Sequence, residues 1–218
     1  MRVREIKKSY ISCTGYLPSV KNKREIAFES TIERDYYMML EFDDNVISYE
    51  EQSLRIYYTY KDGFRTRYTT DCLVTYQDNT QKYFEVKKAE KVRNDHDLKE
   101  HIDFLILYFP ENIGIPLELI TDEDMDKIYL YNLKFLYKFA FLPENKEKYS
   151  HIDCVVKNLR GSTTIEQLVN HLSQNKLEQL YYLPYVWNYL LNNKHLINLY
   201  EKLTNITLII KERSVIHG

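Results

Sequence analysis

The spacing of apolar positions predicts that helices and strands alternate along the first half of the chain. Between residues 22 and 41, apolar side chains recur at helical spacing, and Asn22 with Glu25 three places later resembles a capping box. We therefore expect a helix over 22–41. Four segments rich in Tyr, Val, Ile and Thr follow, with Asp-Gly and Asp-Asn turn signals among them. They predict strands of a mainly antiparallel sheet at residues 46–49, 54–60, 65–76 and 81–87.

Helical spacing returns over residues 95–108, and a short apolar run at 116–120 is suited to one more strand. The first domain is therefore expected to be mixed α and β and to end near residue 121. The acidic patch that follows favours a helix N-terminus, because carboxylates there interact favourably with the helix dipole. Apolar residues at three- and four-residue steps then predict a helix over 122–141.

The second half of the chain is expected to be mainly helical. Ser162 or Thr163 with Glu166 can cap a helix, and a further helix is predicted over 177–191. The closing stretch at 197–210 could form one or two short strands. Three helices followed by a small hairpin are typical of a winged helix, although a plain helical bundle fits nearly as well. The expected domains are residues 1–121 and 122–218.

Composition and charge exclude several classes of function. The five glycines stand far apart, so neither a dinucleotide-binding fingerprint nor a nucleotide P-loop can be built from them. Three cysteines without CxxC spacing and six scattered histidines argue against a disulfide framework and a zinc site. The net charge of −2 argues against a protein that finds nucleic acid through a strongly basic surface. Any role on DNA would therefore need partner proteins.

We expect no membrane segment, because the longest apolar stretch, residues 104–109, is far shorter than the ~20 residues that span a bilayer. The first ten residues include basic side chains but no apolar h-region behind them, so no signal peptide is expected. The cytoplasm is therefore the expected compartment.

The informative chemistry lies in Asp71 and in Glu85 and Lys87 of the segment YFEVKK, on two predicted strands joined by a short turn. An acid followed by acid-x-Lys on the next strand is the signature of PD-(D/E)xK nucleases. Two carboxylates can hold Mg²⁺ or Mn²⁺, which lowers the pKa of bound water and stabilises charge on the scissile phosphate. Strand alternation directs Glu85 and Lys87 to one face. Lys87 would orient the water, and the Val86 carbonyl can serve as an additional metal ligand.

The length of the turn decides whether Asp71 reaches this face. A two-residue loop would pair Asp71 with Val86 and direct it away from Glu85. The site therefore requires an odd loop of three or five residues around Asp78 or Asn79. The alternative is that Glu85 and Lys87 form an exposed charged strand face and that Asp71 is a half-buried turn residue.

The preceding predicted helix adds two acids. Glu29 and Glu33 would lie one turn apart on it, and like charges at that spacing cost a few tenths of a kcal/mol, roughly. A metal or a basic partner would relieve this repulsion. Alternatively, Arg34 and a nearby lysine neutralise it. We expect Glu33 beside the pocket and Glu29 farther from the metal.

Three segments of the chain also carry a resemblance. GYLPSVKNKREIAFESTIERDYYMMLEFDDNVISYEEQ, RYTTDCLVTY and EVKK occur in this order. Together they resemble the TnsA family, the endonuclease subunit of heteromeric cut-and-paste transposases, over about residues 7 to 122. The C-terminal half resembles the family only weakly.

The resemblance implies an α/β, restriction-endonuclease-like domain with a mixed sheet flanked by helices, then a mainly helical, winged-helix-like domain. It implies metal-dependent cleavage of double-stranded DNA at the 5′ ends of the transposon. A separate transposase subunit would cut the 3′ ends, and an ATPase regulator would connect both to target choice. Residues 122–218 would be the likelier docking surface for these partners.

Carried over residue by residue, the family's helix acid corresponds to Glu33, and the acid-aromatic pair that ends the helix corresponds to Glu41-Phe42. The metal-binding Asp and the Lys correspond to Asp71 and Lys87. The family can have Gln two positions before the Lys, and here it is Glu85. Thr70 replaces the Pro that precedes Asp in the broader nuclease motif. The expected catalytic residues are Glu33, Asp71, Glu85 and Lys87, with the metal held by Glu33, Asp71, Glu85 and Val86.

Three functions remain open. The first is the transposon-end nuclease acting within a multi-subunit complex. The second is a freestanding nuclease of the same fold in DNA repair or restriction, which should have a more basic surface than a pI near 6.3 indicates. The third is a non-catalytic module in which the nuclease fold only supports assembly.

Overall fold

The structure is a computed structural model that describes residues 13–61, 63–159 and 161–210. The N-terminal residues on which the expectation of no signal peptide rests lie outside these ranges. The chain divides into two compact units, the first ending at Met125 and the second beginning at Asp126. Within the described ranges, no helix combines the length and apolar character needed to cross a membrane.

The first unit combines strands with three described helices. Its elements in chain order are β1 (Gly15–Ser19), β2 (Arg24–Phe28), α1 (Thr31–Phe42), β3 (Val46–Glu51), β4 (Arg55–Tyr60), β5 (Phe64–Thr69), β6 (Cys72–Tyr76), β7 (Gln81–Lys87), α2 (Ala89–Asn94), α3 (His96–Asn112) and β8 (Leu117–Thr121).

A four-stranded mixed sheet with the order β3-β6-β7-β8 forms the centre of this unit. The β3–β6 and β6–β7 pairs are antiparallel, whereas β7 and β8 run parallel. Helix α1 contacts β7, where the rings of Tyr36 and Phe84 lie 5.4 Å apart, and α3 packs Phe109 against Tyr83. The predicted α/β class is confirmed, and a mixed sheet flanked by helices is consistent with a restriction-endonuclease-like fold.

The predicted helix over 22–41 is wrong in its first part. Residues 24–28 form β2, which pairs antiparallel with β1, and α1 begins only at Thr31. Asn22 does not cap a helix, because its side-chain amide donates to the Ser19 hydroxyl in the β1–β2 turn. Apolar spacing misled the prediction because a short buried strand followed directly by a helix gives a run that looks continuous.

The predicted strand over 65–76 is two strands in two sheets. Residues before Thr70 belong to β5, which forms a separate antiparallel pair with β4, and β6 begins at Cys72. The backbone bends between them, and the Thr70 N–H donates to the Leu54 carbonyl at 3.0 Å. This bend places Asp71 at the end of the central sheet.

The second unit is mainly helical, as predicted. Its elements are α4 (Lys127–Tyr137), α5 (Lys146–Asn158), β9 (Thr163–Thr164), α6 (Ile165–Leu172), α7 (Lys176–Asn192), a 3₁₀ helix (Lys194–Leu196) and β10 (Leu208–Ile209). Buried apolar residues of the four α-helices include Leu133, Ile152, Leu168 and Leu190.

Details of the second unit differ from the prediction. Helix α5 was not expected, and the helix predicted over 122–141 is shorter. The cap of α6 is Thr164, whose side chain accepts from the Gln167 N–H, rather than Ser162 or Thr163 with Glu166. Instead of a hairpin within 197–210, β10 pairs antiparallel with β9, which precedes α6. Local sequence cannot indicate this pairing because the two strands are far apart in the chain.

Candidate active site

The pairing register of β6 and β7 determines on which face of the sheet the predicted site residues lie. Cys72 lies opposite Phe84, and the Tyr76 N–H donates to the Thr80 carbonyl at 3.0 Å. This leaves a three-residue loop over 77–79, which is the odd loop that the predicted site requires. Continued by one residue, the same register sets Asp71 opposite Glu85.

Lys87 lies between two carboxylates at the end of these strands. Its Nζ donates to Asp71 Oδ2 at 2.9 Å and lies 2.5 Å from Glu85 Oε1. The same Nζ donates to the Val86 carbonyl at 3.3 Å, so this oxygen also faces the cluster. The Val86 N–H donates to Asp71 Oδ2 at 2.9 Å. The structure therefore brings Asp71, Glu85, Lys87 and the Val86 carbonyl together.

The backbone of Asp71 is held by groups that the sequence analysis did not identify. The hydroxyl of the fully buried Tyr37 donates to the Asp71 carbonyl at 3.0 Å, and the Gln52 N–H donates to the same oxygen at 3.1 Å. These bonds fix the bend after β5 and hold the backbone of Asp71 where the extended β6–β7 register sets it opposite Glu85.

Glu33 joins the site from the first turn of α1, where Ser30 is the N-cap. Glu33 Oε1 accepts from the Ser30 hydroxyl and Oε2 accepts from the Glu29 N–H, both at 2.8 Å. The predicted repulsion between Glu29 and Glu33 on one helix face is wrong, because Glu29 precedes the helix. The signal for the correct start was present in the sequence, since Ser30 and Glu33 have the spacing of a capping box.

Electrostatic coupling links Glu33 to the cluster. Burial, followed by the charge of the Asp71 carboxylate, raises the pKa of Glu33 to about 7, while Lys87 opposes the shift. Burial likewise raises the pKa of Glu85 to about 7, again with a contribution from Asp71. Crowded acids in a poorly solvated place resist full ionisation unless a cation compensates them. When ionised, Glu33, Asp71 and Glu85 therefore carry more negative charge than the ammonium group of Lys87 neutralises.

Lys87 and Tyr68 partly compensate this charge. Burial alone lowers the pKa of Lys87, but Asp71 and Glu85 outweigh it and hold the pKa above its usual value, so Lys87 stays an ammonium ion. The hydroxyl of Tyr68 donates to Glu85 Oε2. Burial, followed by the charge of Glu85, raises the pKa of this phenol well above its usual range, so Tyr68 remains a donor.

Glu41, which ends α1 together with Phe42, has a structural place outside this cluster. Its carboxylate accepts from the Val20 N–H at 3.1 Å and from the Tyr49 hydroxyl at 2.7 Å. Glu41 therefore joins the β1–β2 turn to α1 and β3. This contact stabilises the helix that carries Glu33.

A second group of possible ligands lies on the surface and was missed by the sequence analysis. In the described residues, ligand atoms of His96, Asp97 and Glu100 lie within 4.8 Å of one another, and all three residues are exposed. The spacing of His96 and Glu100, four residues apart on α3, could have indicated the group. Lys61 contacts both of its carboxylates, with Nζ 3.5 Å from Asp97 Oδ1.

Comparison with known families identifies both units. Residues 43–122 match the model described as TnsA-like endonuclease N terminal, and residues 124–199 match the model described as TnsA endonuclease C terminal. No curated protein matched the chain. The two matched segments follow one another and together include most of the chain, with Asp71, Glu85 and Lys87 in the first. The chain therefore belongs to the TnsA family of endonucleases, as its sequence motifs predicted.

Proposed function

We propose that the chain is the metal-dependent DNA endonuclease subunit of a heteromeric transposase and hydrolyses phosphodiester bonds at the 5′ ends of the transposon. The observation that carries this proposal is the buried cluster in which Lys87 Nζ contacts both Asp71 and Glu85. Membership of a transposase endonuclease family supports it. The proposed domains are a nuclease domain over residues 1–121 and a winged-helix-like domain over 122–218.

The donor set fits a hard divalent cation. Glu33, Asp71 and Glu85 supply carboxylate oxygens, and the Val86 carbonyl adds a neutral oxygen. Oxygen ligands without sulfur or imidazole favour Mg²⁺ or Mn²⁺ over zinc. The raised pKa values of Glu33 and Glu85 support the assignment, because a cation would stabilise the ionised acids that burial disfavours. When bound, such an ion lowers the pKa of its water and stabilises charge on the scissile phosphate.

The residues of the chain have separable tasks in this proposal. Asp71 is oriented by the Val86 N–H, and Glu85 is oriented by the Tyr68 hydroxyl. Lys87 carries three N–H donors, so after releasing one carboxylate it can direct the attacking water or contact a phosphate oxygen. Glu33 is held at the start of α1 by its two hydrogen bonds and can still offer further lone pairs.

Partner proteins supply most of the DNA affinity in this proposal. A net charge of −2 gives the chain little general attraction to a duplex, so recruitment must place the scissile phosphate near Asp71. The proposed recruiters are the transposase subunit that cuts the 3′ ends and an ATPase regulator, and residues 122–218 are their proposed docking surface. Tethering would raise the effective concentration of the phosphate to roughly the millimolar range.

The test is nicking of a transposon-end duplex in Mg²⁺ by the chain alone and by the chain with both partners. The proposal expects weak nicking alone, strong 5′-end nicking in the complex, and loss of nicking in an assembled Asp71→Ala complex. Robust cutting of any duplex by the chain alone would favour a freestanding repair or restriction nuclease. A complex that assembles with the wild-type chain but never cuts the 5′ ends would favour a non-catalytic assembly module.

A further inference from the structure

The β4–β5 pair is a two-stranded ribbon with two chemically different faces. Directly opposed residues of an antiparallel pair share a face, and alternate residues along each strand do so too. The register therefore defines one face, here called the ribbon face, from three cross-strand pairs. These pairs are Arg55 with Thr69, Tyr57 with Arg67, and Thr59 with Arg65.

The opposite face of the ribbon is anchored in the core. Ile56 and Tyr58 are buried there in a cluster with Leu105 and Phe109 of α3, and the Tyr68 ring packs edge-on against Phe109. This packing holds the ribbon in place and directs the ribbon face to solvent, where Tyr57 is 58% exposed. The orientation of the ribbon face is thus a consequence of the core and not of a bound partner.

The arginines of the ribbon face differ from the other arginines of the protein. Among the described residues, no carboxylate forms an ion pair with Arg55, Arg65 or Arg67, and the Arg65 guanidinium lies 5.8 Å from the centre of the Tyr57 ring. Asp62, in the loop between the strands, is outside the described residues. Every other described arginine is ion-paired: Arg24 with Glu51, Arg34 with Asp35, and Arg93 with Glu123.

The ribbon is continuous with the candidate active site. Tyr68 follows Arg67 in the chain and lies on the opposite, core-facing side of the ribbon. Its hydroxyl donates to Glu85. At the same end of the ribbon, Arg55 Nε donates to Thr69 Oγ1 at 3.2 Å, and the chain passes from Thr69 through one residue to Asp71. The arginines of the ribbon face therefore lie next to the acid cluster along the chain, with Arg55 bonded to a residue two positions before Asp71.

We propose that the ribbon face binds the phosphate backbone of double-stranded DNA next to the phosphate that is cleaved; this inference rests on the proposed function. Guanidinium groups match phosphate oxygens in a two-pronged geometry, and hydroxyl groups of Thr and Tyr are frequent phosphate donors. The ribbon face offers both. Each strand of six residues spans about 20 Å, so the ribbon can follow several phosphates. A local surface of this kind lets a chain of net charge −2 align a duplex that its partners deliver.

The test compares two charge-matched double variants of the full-length chain. Arg65→Gln with Arg67→Gln removes two positive charges from the ribbon face, and Lys91→Gln with Lys99→Gln removes two from exposed positions on α2 and α3. Binding to a fluorescently labelled mixed-sequence duplex is measured at increasing salt with EDTA present, so that cleavage does not interfere. Thermal denaturation confirms that each variant is folded.

We expect the ribbon variant to bind the duplex about tenfold more weakly than the lysine variant. The slope of log K against log salt concentration should be smaller in magnitude than that of the wild type by about 1.8, or about 0.9 for each lost phosphate contact. Arg65→Lys with Arg67→Lys should keep most of the affinity. Equal losses in the two glutamine variants would overturn the proposal. Unchanged DNA binding with loss of partner assembly in the absence of DNA would overturn it in favour of an acidic protein partner.

Nicking by the assembled complex separates the two proposals. If the wild-type complex cuts and the ribbon variant binds and cuts like the lysine variant, the ribbon inference fails and the proposed function stands. If no complex cuts but the ribbon variant still loses DNA binding selectively, the nuclease proposal fails and the binding surface remains.

Discussion

The buried cluster around Lys87 and the exposed group around Lys61 contain similar side chains in different surroundings. In each, one lysine contacts two carboxylates: Asp71 and Glu85 in the cluster, Asp97 and Glu100 in the group. Burial raises the pKa of Glu85 to about 7, whereas the hydrogen bond from Lys61 holds the pKa of Glu100 below its usual value.

The difference teaches that close acids alone do not make a cation site. Water solvates the exposed carboxylates, and Lys61 neutralises part of their charge at little cost. In the cluster, Asp71 and Glu85 share the ammonium group of Lys87, and the largely buried Glu33 adds a third acid nearby with little solvent to stabilise its charge. Under the proposed function, a divalent ion would therefore stabilise the acids of the cluster more than the exposed acids.

The largest expected effect is on cleavage. Asp71→Ala or Glu85→Ala should lower the nicking rate of the assembled complex by at least about 10³-fold, because metal ligation supplies several kcal/mol of transition-state stabilisation. The matched change Glu100→Ala should leave nicking unchanged. Both are measured in single-turnover assays on a transposon-end duplex. Comparable losses in Glu100→Ala would mean that the exposed group takes part in the reaction.

Lys87→Ala should lower the nicking rate by about 10²-fold, as expected for a group that directs a proton or a water, while Mn²⁺ affinity changes little or rises. An ammonium ion is not a metal ligand, so the two readouts should separate. Mn²⁺ titration by calorimetry and single-turnover nicking measure them, with Lys61→Ala as the control. Undiminished nicking in Lys87→Ala would remove its catalytic assignment.

The pH dependence of stability should have opposite signs in the two regions. The pKa of Glu85 is raised from 4.5 to about 7, so the folded protein holds this proton more tightly than the unfolded chain. Its contribution is complete below about pH 4.5 and is lost as the pH rises through about 7, on the order of 3 kcal/mol. The lowered pKa of Glu100 gives the reverse dependence, lost as the pH falls.

Thermal denaturation in EDTA from about pH 5 to about pH 8 measures the contribution of Glu85, because the lowered pKa of Glu100 lies below this range. The midpoint of the wild type should fall as the pH rises. In Glu85→Gln, the unfolding midpoint should fall less steeply with pH, and the remaining fall should come from Glu33. In Glu100→Gln, the midpoint should change with pH as in the wild type. If Glu85→Gln is as steep as the wild type, the carboxylate of Glu85 is not destabilised by burial.

The smallest expected effect concerns the support of Glu85. Tyr68→Phe removes the hydroxyl that donates to Glu85 Oε2 and should destabilise the fold by about 1.5–3 kcal/mol, as for loss of a hydrogen bond to a charged group. Nicking should fall by about tenfold, because Glu85 loses its orientation. Tyr16→Phe, at an exposed tyrosine on β1, is the control. Denaturant unfolding and nicking assays measure both effects. If neither the free energy of unfolding nor the nicking rate changes in Tyr68→Phe, Lys87 alone positions Glu85.

Regular elements with strong local signals were predicted well. The predicted strand 81–87 coincides with β7, and the strand predicted over 116–120 corresponds to β8 with a shift of one residue. Alternation along β7 was enough to expect Glu85 and Lys87 on one face, whereas the loop length was left open, and the structure shows the odd loop at 77–79 that sets Asp71 opposite Glu85. These features depend on residues near one another in the chain, which is why the sequence contains them.

Elements with weak local signals were missed. Helix α5 buries only Ile152 and Val156 and is otherwise mostly charged or polar, so its apolar stripe is too narrow to recognise. The start of α1 was misplaced because β2 runs into it with apolar residues at compatible spacing. Packing against distant elements decides the position of α5, whereas the capping-box spacing of Ser30 and Glu33 was a local signal for the start of α1 that the apolar run obscured.

The sequence by itself determined the family and the order of the acids and the lysine along the chain, because these depend on residue identity and on strand alternation. Only the tertiary structure decided that Glu33, held at the start of α1 by Ser30, lies near enough to interact electrostatically with Asp71. It also decided the raised pKa of Glu85 and the unpaired charge of the ribbon face. Burial and the neighbours of a charge are properties of the folded chain, since they arise from contacts between distant segments.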